Sequence, residues 1–335
     1  MTKDVRLAQL KHWVRSLQGW EDATFETASA DASFRRYFRA TQDDKTAIVM
    51  DAPPDKEDSN TFLDVTQRLL QAGVNAPDIL AQNLPDGFLL LQDFGNTPLL
   101  NQLDPASADY HYPAAMQELL NLQVADTDGL PLYNAGRLMD EMALMPEWFL
   151  RTHLQFADTD IPSDLITETF EQISHEVRRQ PVTFVHRDYH SRNLMLLPEG
   201  RLGVIDYQDA VLGPMTYDLV SLLRDCYVVW PEQRVTRWAL NFHKQAISAG
   251  NIPPVDERSF LRWFDLTGLQ RHLKVLGIFC RLNHRDGKSG YLNDLPLVLS
   301  YVLTIGARHP ETVALVEWMR SMGIPSRIGT VDIPA

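Results

Sequence analysis

Phe184-Val185-His186-Arg187-Asp188-Tyr189-His190-Ser191-Arg192-Asn193 is the stretch on which the reading of this chain turns. An apolar pair, Phe184-Val185, feeds the pattern H-x-D-x-x-x-x-N. Downstream come Leu194-Met195-Leu196-Leu197, the turn Pro198-Glu199-Gly200-Arg201, and Leu202-Gly203-Val204-Ile205-Asp206. Two apolar runs around a four-residue turn predict a β-hairpin. If Leu197 pairs with Leu202, partner numbers sum to 399 and Asn193 falls opposite Asp206. Directly opposed residues hold their Cβ atoms ~4.5–5.5 Å apart on one face. The hairpin then presents an amide oxygen beside a carboxylate. Oxygen donors of this kind suit Mg2+, which keeps several waters and takes substrate phosphates into its shell. Asp188 lies on the loop entering the same hairpin, placed to meet a hydroxyl beside a metal-bound phosphate. Asp and Asn cap loops routinely. Three polar residues converging at one end of one hairpin, behind an apolar strand, favour a catalytic site over capping.

On the N-terminal side of this island most segments from Ala106 onward have helical period, as in Ile166, Phe170, Ile173 and Val177. Further back the pattern is sheet-like. Leu10, Val14 and Leu17 predict a first helix, ended near Gly19. Short β-like runs follow at 23–27, 34–40 and 46–50, then a helix over 60–72 with Phe62, Val65 and Leu69 on one stripe. Two more strands, near Ile79 and over 88–92, flank the turn Pro85-Asp86-Gly87. The layout predicts an α+β chain with a small antiparallel-sheet lobe over residues 1–94 and a larger, mainly helical lobe over 95–335.

The composition narrows the class. The chain has 335 residues, 44% of them hydrophobic, and 31 basic against 44 acidic side chains. A net charge of −13 argues against sequence-independent nucleic-acid binding, which needs a positive field. Cys226 and Cys280 form no disulfide framework, which suits a reducing compartment. The apolar stretch around 295–305 is shorter than the roughly 20 residues a bilayer crossing takes. The start, Met1-Thr2-Lys3-Asp4, lacks the layout of a signal peptide. A cytoplasmic protein without membrane, nucleic-acid or obligate protein partners is the expectation.

The run His186-Arg187-Asp188, with Asn193 and Ile205-Asp206-Tyr207-Gln208-Asp209, resembles the catalytic loop and metal-binding segment of the aminoglycoside phosphotransferase family. These are small-molecule kinases with a bilobed, protein-kinase-like fold. Four further stretches are similar to one branch of it, the bacterial anomeric kinases of N-acetylmuramate and N-acetylglucosamine in peptidoglycan recycling. They are 32–38 (ASFRRYF), 48–53 (IVMDAP), 141–148 (EMALMPEW) and 268–279 (GLQRHLKVLGIF). The resemblance implies ATP and Mg2+ as cofactors and a small amino sugar as acceptor. It implies Asp188 as catalytic base, Asn193 and Asp206 as Mg2+ ligands, and Gln92 to Gly95, with Phe94, as the linker that binds adenine. It also implies that Ser33 and Phe34 lie at the nucleotide, and that His186 and Asp218 support the catalytic loop. Asp218 also reads as the N-cap of a helix over 219–227, and the two roles are compatible.

The pattern departs from kinases of this fold in lacking a lysine on the third strand, where Ala47-Ile48-Val49-Met50 stands. The turn over 28–33 has no glycine, and no P-loop motif occurs anywhere. Phe34, Arg36 and Phe38 share one face by alternation, and Arg36 is the expected phosphate contact, with Arg35 in reserve. Otherwise Arg36 reaches solvent or pairs with Asp51 or Asp64. Arg271, Lys274, Arg281 and Arg285 lie close to one helical stripe, either a solvated face or a site for the lactyl carboxylate of N-acetylmuramate. Glu147, Trp148 and His284 are further candidate sugar contacts. The competing readings are a kinase for another hydroxyl, such as an aminoglycoside or amino alcohol, and a non-catalytic nucleotide-binding protein.

Overall fold

The structure, a computed structural model, describes residues 4–30 and 34–334; Ser33 lies outside the described residues. In chain order the elements are α1 (Val5–Arg15), β1 (Thr24–Ala30), β2 (Arg36–Gln42), β3 (Lys45–Asp51), α2 (Ser59–Gln71), β4 (Ile79–Asn83) and β5 (Phe88–Gln92). Then come α3 (Ala108–Gln123), α4 (Ala135–Met142), α5 (Ser163–Val177), β6 (Val182–Val185), β7 (Leu194–Leu196), β8 (Leu202–Val204) and β9 (Val211–Pro214). The chain closes with α6 (Tyr217–Leu223), α7 (Glu232–Ser248), α8 (Glu257–Asp286), α9 (Leu295–Gly306), α10 (Val313–Ser321) and α11 (Ile324–Ile328). Packing groups these into two compact units, residues 1–98 with 194–208, and residues 99–193 with 209–335.

The first unit is built on an antiparallel sheet in the order β1-β2-β3-β5-β4. Asp4 caps α1, its carboxylate accepting the Leu7 N–H at 3.0 Å. Leu10 and Val14 of α1 pack with Phe38, Ala40, Ala47, Val49, Phe88 and Leu90. Leu89 and Leu91 alternate to the opposite face and are buried as well. The sheet is therefore covered on both sides, which is why β5 reads as a continuous apolar run.

The β7–β8 hairpin belongs to this unit, and its register differs from the one read from sequence. Leu194 faces Val204, Met195 faces Gly203 and Leu196 faces Leu202, so partner numbers sum to 398. The connection holds the residues from Leu197 to Arg201, closed by the Leu197 N–H donating to Arg201 O at 2.8 Å. Glu199 and Gly200 turn it with positive φ values of 63° and 73°. One more residue in the turn shifts the ladder by one, and a one-residue slip exchanges the faces. Asn193 and Asp206 lie beyond the ladder, and Asp206 has left the strand with φ 66°. The strand-pairing argument for bringing these two side by side therefore does not hold. The hairpin is stitched to its own unit by Val204 N–H to Asn75 O and Leu196 N–H to Thr97 O, both at 2.8 Å.

The second unit is helical around α8, whose length of 30 residues corresponds to about 45 Å. Asp256 caps its start, and Gly287, at φ 69°, ends it. Leu266, Leu269, Leu273, Leu276 and Phe279 of α8 join one apolar core with Met145 and Phe149, Phe170 and Ile173 of α5, and Val298 and Val302 of α9. Gly277 lies so close to Leu144 that a Cβ there would stand 2.3 Å from its carbonyl carbon. The wide π-type turn over Met145–His153 follows directly. A short ladder pairs β6 with β9, Val185 facing Val211. No helix among the described residues is long and apolar enough to cross a membrane.

One buried cation anchors this unit. Arg224, just after α6, is 2% exposed. It donates to Glu232 at 2.8 Å and lies 2.7 Å from Asp265 of α8. His309 stands 2.9 Å from the same Asp265. Burial raises the Asp265 pKa, but Arg224 and the His309 hydrogen bond outweigh it and bring the pKa down to about 2. A carboxylate whose folded pKa lies below its unfolded value adds stability above the unfolded pKa, and loses it as pH falls toward the folded one. Asp265→Asn is expected to cost about 1.5–3 kcal/mol at neutral pH, the worth of a charged hydrogen bond, because Arg224 loses one of its two carboxylates and keeps Glu232. Urea unfolding of wild type and variant at steps between pH 5 and 2 checks this, the gap narrowing as pH falls from about 4 to 2.

Candidate active site

Loop 186–193 leaves β6 within the second unit. Two buried carboxylates fix its ends. Asp218, in the first turn of α6, accepts the backbone N–H of His186 at 2.7 Å and of Arg187 at 2.9 Å. It is not the N-cap of its helix, which begins at Tyr217 with Thr216 at the cap position, and its oxygens are committed to the loop. Burial pushes the Asp218 pKa up to about 6, against the pull of His186 and of the two N–H groups. Asp225 holds the other end. Its carboxylate accepts the Ser191 N–H at 3.0 Å, the Ser191 hydroxyl, and the Tyr227 N–H at 3.2 Å. The sequence reading missed Asp225. It lies seven residues beyond Asp218, and nothing in the local pattern distinguishes it from a loop acid.

Between these clamps the backbone is strained. Arg187 has φ 79°, a conformation that costs a non-glycine residue of order 1–3 kcal/mol unless its surroundings hold it. Here the Arg187 N–H is tied to Asp218 and its Nη2 donates to Glu141 Oε1 at 2.6 Å. His186 is fully buried, and its Nδ1 accepts the Asp188 N–H at 3.2 Å. Asn193 Nδ2 donates to the Asp188 carbonyl at 3.0 Å, and the Asn193 N–H to His190 O at 2.9 Å. The Asp188 carboxylate makes no hydrogen bond among the described residues. Burial raises its pKa, but Lys274, His190, Arg187 and Arg271 outweigh that and hold it below the ordinary carboxylate range. At neutral pH it is an ionised acceptor.

A buried network surrounds the loop. Glu141 on α4 receives Arg187, the Tyr133 hydroxyl and Gln270 Nε2 at 3.4 Å, and pairs with Lys274 Nζ at 3.3 Å. Lys274 also donates to the Tyr217 hydroxyl at 3.2 Å. Glu141 opens a stretch singled out in the sequence, yet only packing revealed it as the hub. The candidate sugar contacts scatter. Arg271 is buried beside Cys226. Trp148 is half-buried against the apolar core, the outcome usual for tryptophan. Glu147 is exposed, with Arg151 at 3.7 Å. Arg281 is half-buried, and exposed His284 stacks by its edge on His153, Nε2 to Nδ1 at 3.1 Å.

In the first unit, Arg36 meets carboxylates. It binds buried Asp51, with Nε at 2.9 Å, and also Asp4, the ion-pair alternative to a phosphate contact. Phe34 precedes β2 and is exposed rather than sharing the strand's inner face. The linker after β5 is held by Arg39, another residue the sequence reading left without a role. Its guanidinium donates to Asp93 at 2.5 and 2.9 Å, to Asn96 Oδ1 at 2.6 Å and to Gly95 O at 3.1 Å. Gln92 returns its Oε1 to the Asp78 N–H at 3.3 Å. Phe94 packs against the hairpin at Gly203, where a Cβ would come within 2.4 Å of the ring. Asp206, at φ 66°, accepts Gln208 Nε2 at 2.9 Å.

An antiparallel sheet unit, a helical unit and an aspartate loop clamped by buried acids define the protein-kinase-like α+β class. The chain belongs to the phosphotransferase enzyme family, whose family model matches residues 24–258. It is 42% identical over 336 aligned positions to an N-acetylmuramate/N-acetylglucosamine kinase of Pseudomonas aeruginosa, covering 96% of this chain and 98% of the other. A kinase of the same name from Neisseria meningitidis is 40% identical, with 92% and 94% covered. A crystal structure of a choline/ethanolamine kinase family protein from Mesorhizobium loti shares the fold at 11% identity and a TM-score of 0.63, with 94% and 99% covered.

The clamp has a measurable consequence. Asp225→Ala leaves the Ser191 hydroxyl and N–H without their acceptor, at a cost of about 1–3 kcal/mol. Hydrogen exchange of a peptide spanning 186–193 is expected to speed by about 10–100-fold, while peptides from the centre of α8 keep their protection.

Proposed function

We propose that this phosphotransferase moves the γ-phosphoryl group of ATP to the anomeric hydroxyl of N-acetylmuramate and N-acetylglucosamine. The observation that carries the reading is the Asp188 carboxylate: ionised, without a hydrogen-bond donor among the described residues, and mounted on a loop clamped at both ends. Similarity over nearly the whole chain to kinases named for these two sugars supports the substrate.

Asp188 accepts a hydrogen bond from the anomeric hydroxyl and takes its proton as the O–P bond forms. The bond between the γ-phosphorus and the β-phosphate oxygen breaks, and ADP leaves. Transfer of this kind depends mainly on positioning and charge neutralisation. Asn193 and Asp206 are the proposed ligands of Mg2+. An amide oxygen and a carboxylate suit a hard cation, and the Asn193 Nδ2 bond to the Asp188 carbonyl ties Asn193 to the same loop. Bound Mg2+ neutralises phosphate charge. A metal-hydrolase reading with zinc held by His186, His190 and Asp206 has less support, since no cluster of three His, Cys, Asp or Glu side chains that could hold a metal occurs among the described residues. His186 and Asp218 support the loop.

The linker over 92–95, with Phe94, takes the adenine, and Arg39 shapes it. Arg36 already stands between two carboxylates and receives no phosphate role here. We assign nucleotide binding to the N-terminal lobe and the acceptor to the helical C-terminal one, divided near residue 94. The site of action is the cytoplasm, where ATP is available, in peptidoglycan recycling.

Phosphorus NMR of the product from ATP, Mg2+ and N-acetylmuramate tests the reaction; no phosphoryl signal coupled to the anomeric proton would sink it. Asp188→Ala is expected to lower kcat by roughly 10²–10⁴ while ATP still binds, as single-turnover assays and ATP titration will show. Arg39→Ala is expected to raise the KM for ATP about tenfold, equal to one lost charge-assisted hydrogen bond of about 1.5 kcal/mol, with a smaller change in kcat.

A further inference from the structure

Arg271, Lys274, Arg281 and Arg285 lie close to one stripe of α8, and the structure separates their roles. Arg285 is exposed and paired with Asp286 at 2.7 Å. Arg281 lies ten residues beyond Arg271, about 15 Å along the axis, and is half-buried, its Nε without a hydrogen-bond partner among the described residues. Lys274 is buried and committed to Glu141 and the Tyr217 hydroxyl. Arg271 differs from all three. It is 4% exposed, yet its one hydrogen bond among the described residues runs from Nη1 to Cys226 Sγ at 3.2 Å. No described carboxylate lies within ion-pair distance of it, although the Asp188 carboxylate acts on it from further away. A thiol is a weak, neutral acceptor. The other guanidinium nitrogens are not sealed off from solvent. A buried cation without a close counter-ion is expensive to maintain, and a planar fork with an open edge matches a carboxylate.

We infer that Arg271 is the residue that recognises an anionic acceptor, binding the lactyl carboxylate of N-acetylmuramate, the group N-acetylglucosamine lacks. The inference rests on the sugar-kinase reading. It singles out one residue from a stripe of four, because Lys274 and Arg285 are paired with carboxylates and Arg281 lies about 15 Å further along the helix. The transferred phosphoryl group is the competing anion, and it is common to every acceptor. Arg271 sits in the helical unit assigned to the acceptor, beside the loop that carries Asp188, which favours the sugar carboxylate.

The test compares kcat/KM for N-acetylmuramate, its methyl ester and N-acetylglucosamine in wild type, Arg271→Met and Arg271→Lys. Wild type is expected to favour the acid over the ester by about 10–100-fold, the worth of a charge-assisted contact. In Arg271→Met the acid-to-ester ratio falls toward one, and the N-acetylmuramate-to-N-acetylglucosamine ratio falls by a similar factor. Arg271→Lys lies between. An equal loss on all three acceptors overturns the inference and places Arg271 on the phosphoryl group. Should Arg271→Met not fold, the wild-type comparison decides, because equal rates for acid and ester refute it. Wild type that phosphorylates none of the three overturns the sugar-kinase reading instead, and the inference with it.

Discussion

Asp218 and Asp225 carry the architecture of the loop between them. Each is a buried carboxylate that accepts backbone N–H groups from a segment far away in sequence. Desolvating a carboxylate is costly, and hydrogen bonds to its charged form offset that cost. The loop over 186–193 has no regular secondary structure to satisfy its own N–H groups. Asp218 and Asp225 satisfy three of them, and Arg187 can remain at a positive φ as a result. Both acids follow from the short ladder of β6 with β9 and from α6, which bring the 218–225 segment beneath the loop.

Buried charge recurs throughout the helical unit. Arg224 is matched by Glu232 and Asp265, and Arg187 and Lys274 by Glu141. These pairs are balanced within the protein. Asp188 and Arg271 stand apart from these pairs and from Asp218 and Asp225, which N–H and hydroxyl donors satisfy: among the described residues the Asp188 carboxylate accepts no hydrogen bond and Arg271 meets only the Cys226 thiol. Lone buried charges are unfavourable in a resting fold, so they mark positions where a ligand supplies the missing partner. One anion and one cation left over in the same unit suit a ligand that offers both a hydroxyl proton and a negative group.

Much of the fold was readable from local pattern. α1, α2 and the strands of the sheet fall close to where the pattern of apolar residues and turn residues placed them. The hairpin was legible as a hairpin, but not its register. Glu199, a non-glycine residue at positive φ, lengthened the turn by one position, and no sequence rule marks it. Alternation along β2 put Phe34 and Arg36 on one face. Phe34 in fact precedes the strand, and Arg36 is drawn to Asp51 across the ladder and to Asp4 at the start of α1. Asp218 also read as a helix cap. Its actual partners, 31 and 32 residues away, are invisible to a local window.

The family was legible in a single chain, because H-x-D-x-x-x-x-N and the hairpin after it are local in sequence. Tertiary packing alone decided which charges are neutralised. The hub at Glu141, the clamp at Asp225, the brace at Arg39 and the solitary Arg271 all depend on contacts between segments distant in sequence. Burial sets the cost of each charge, and a linear string carries no record of which side chains share an interior.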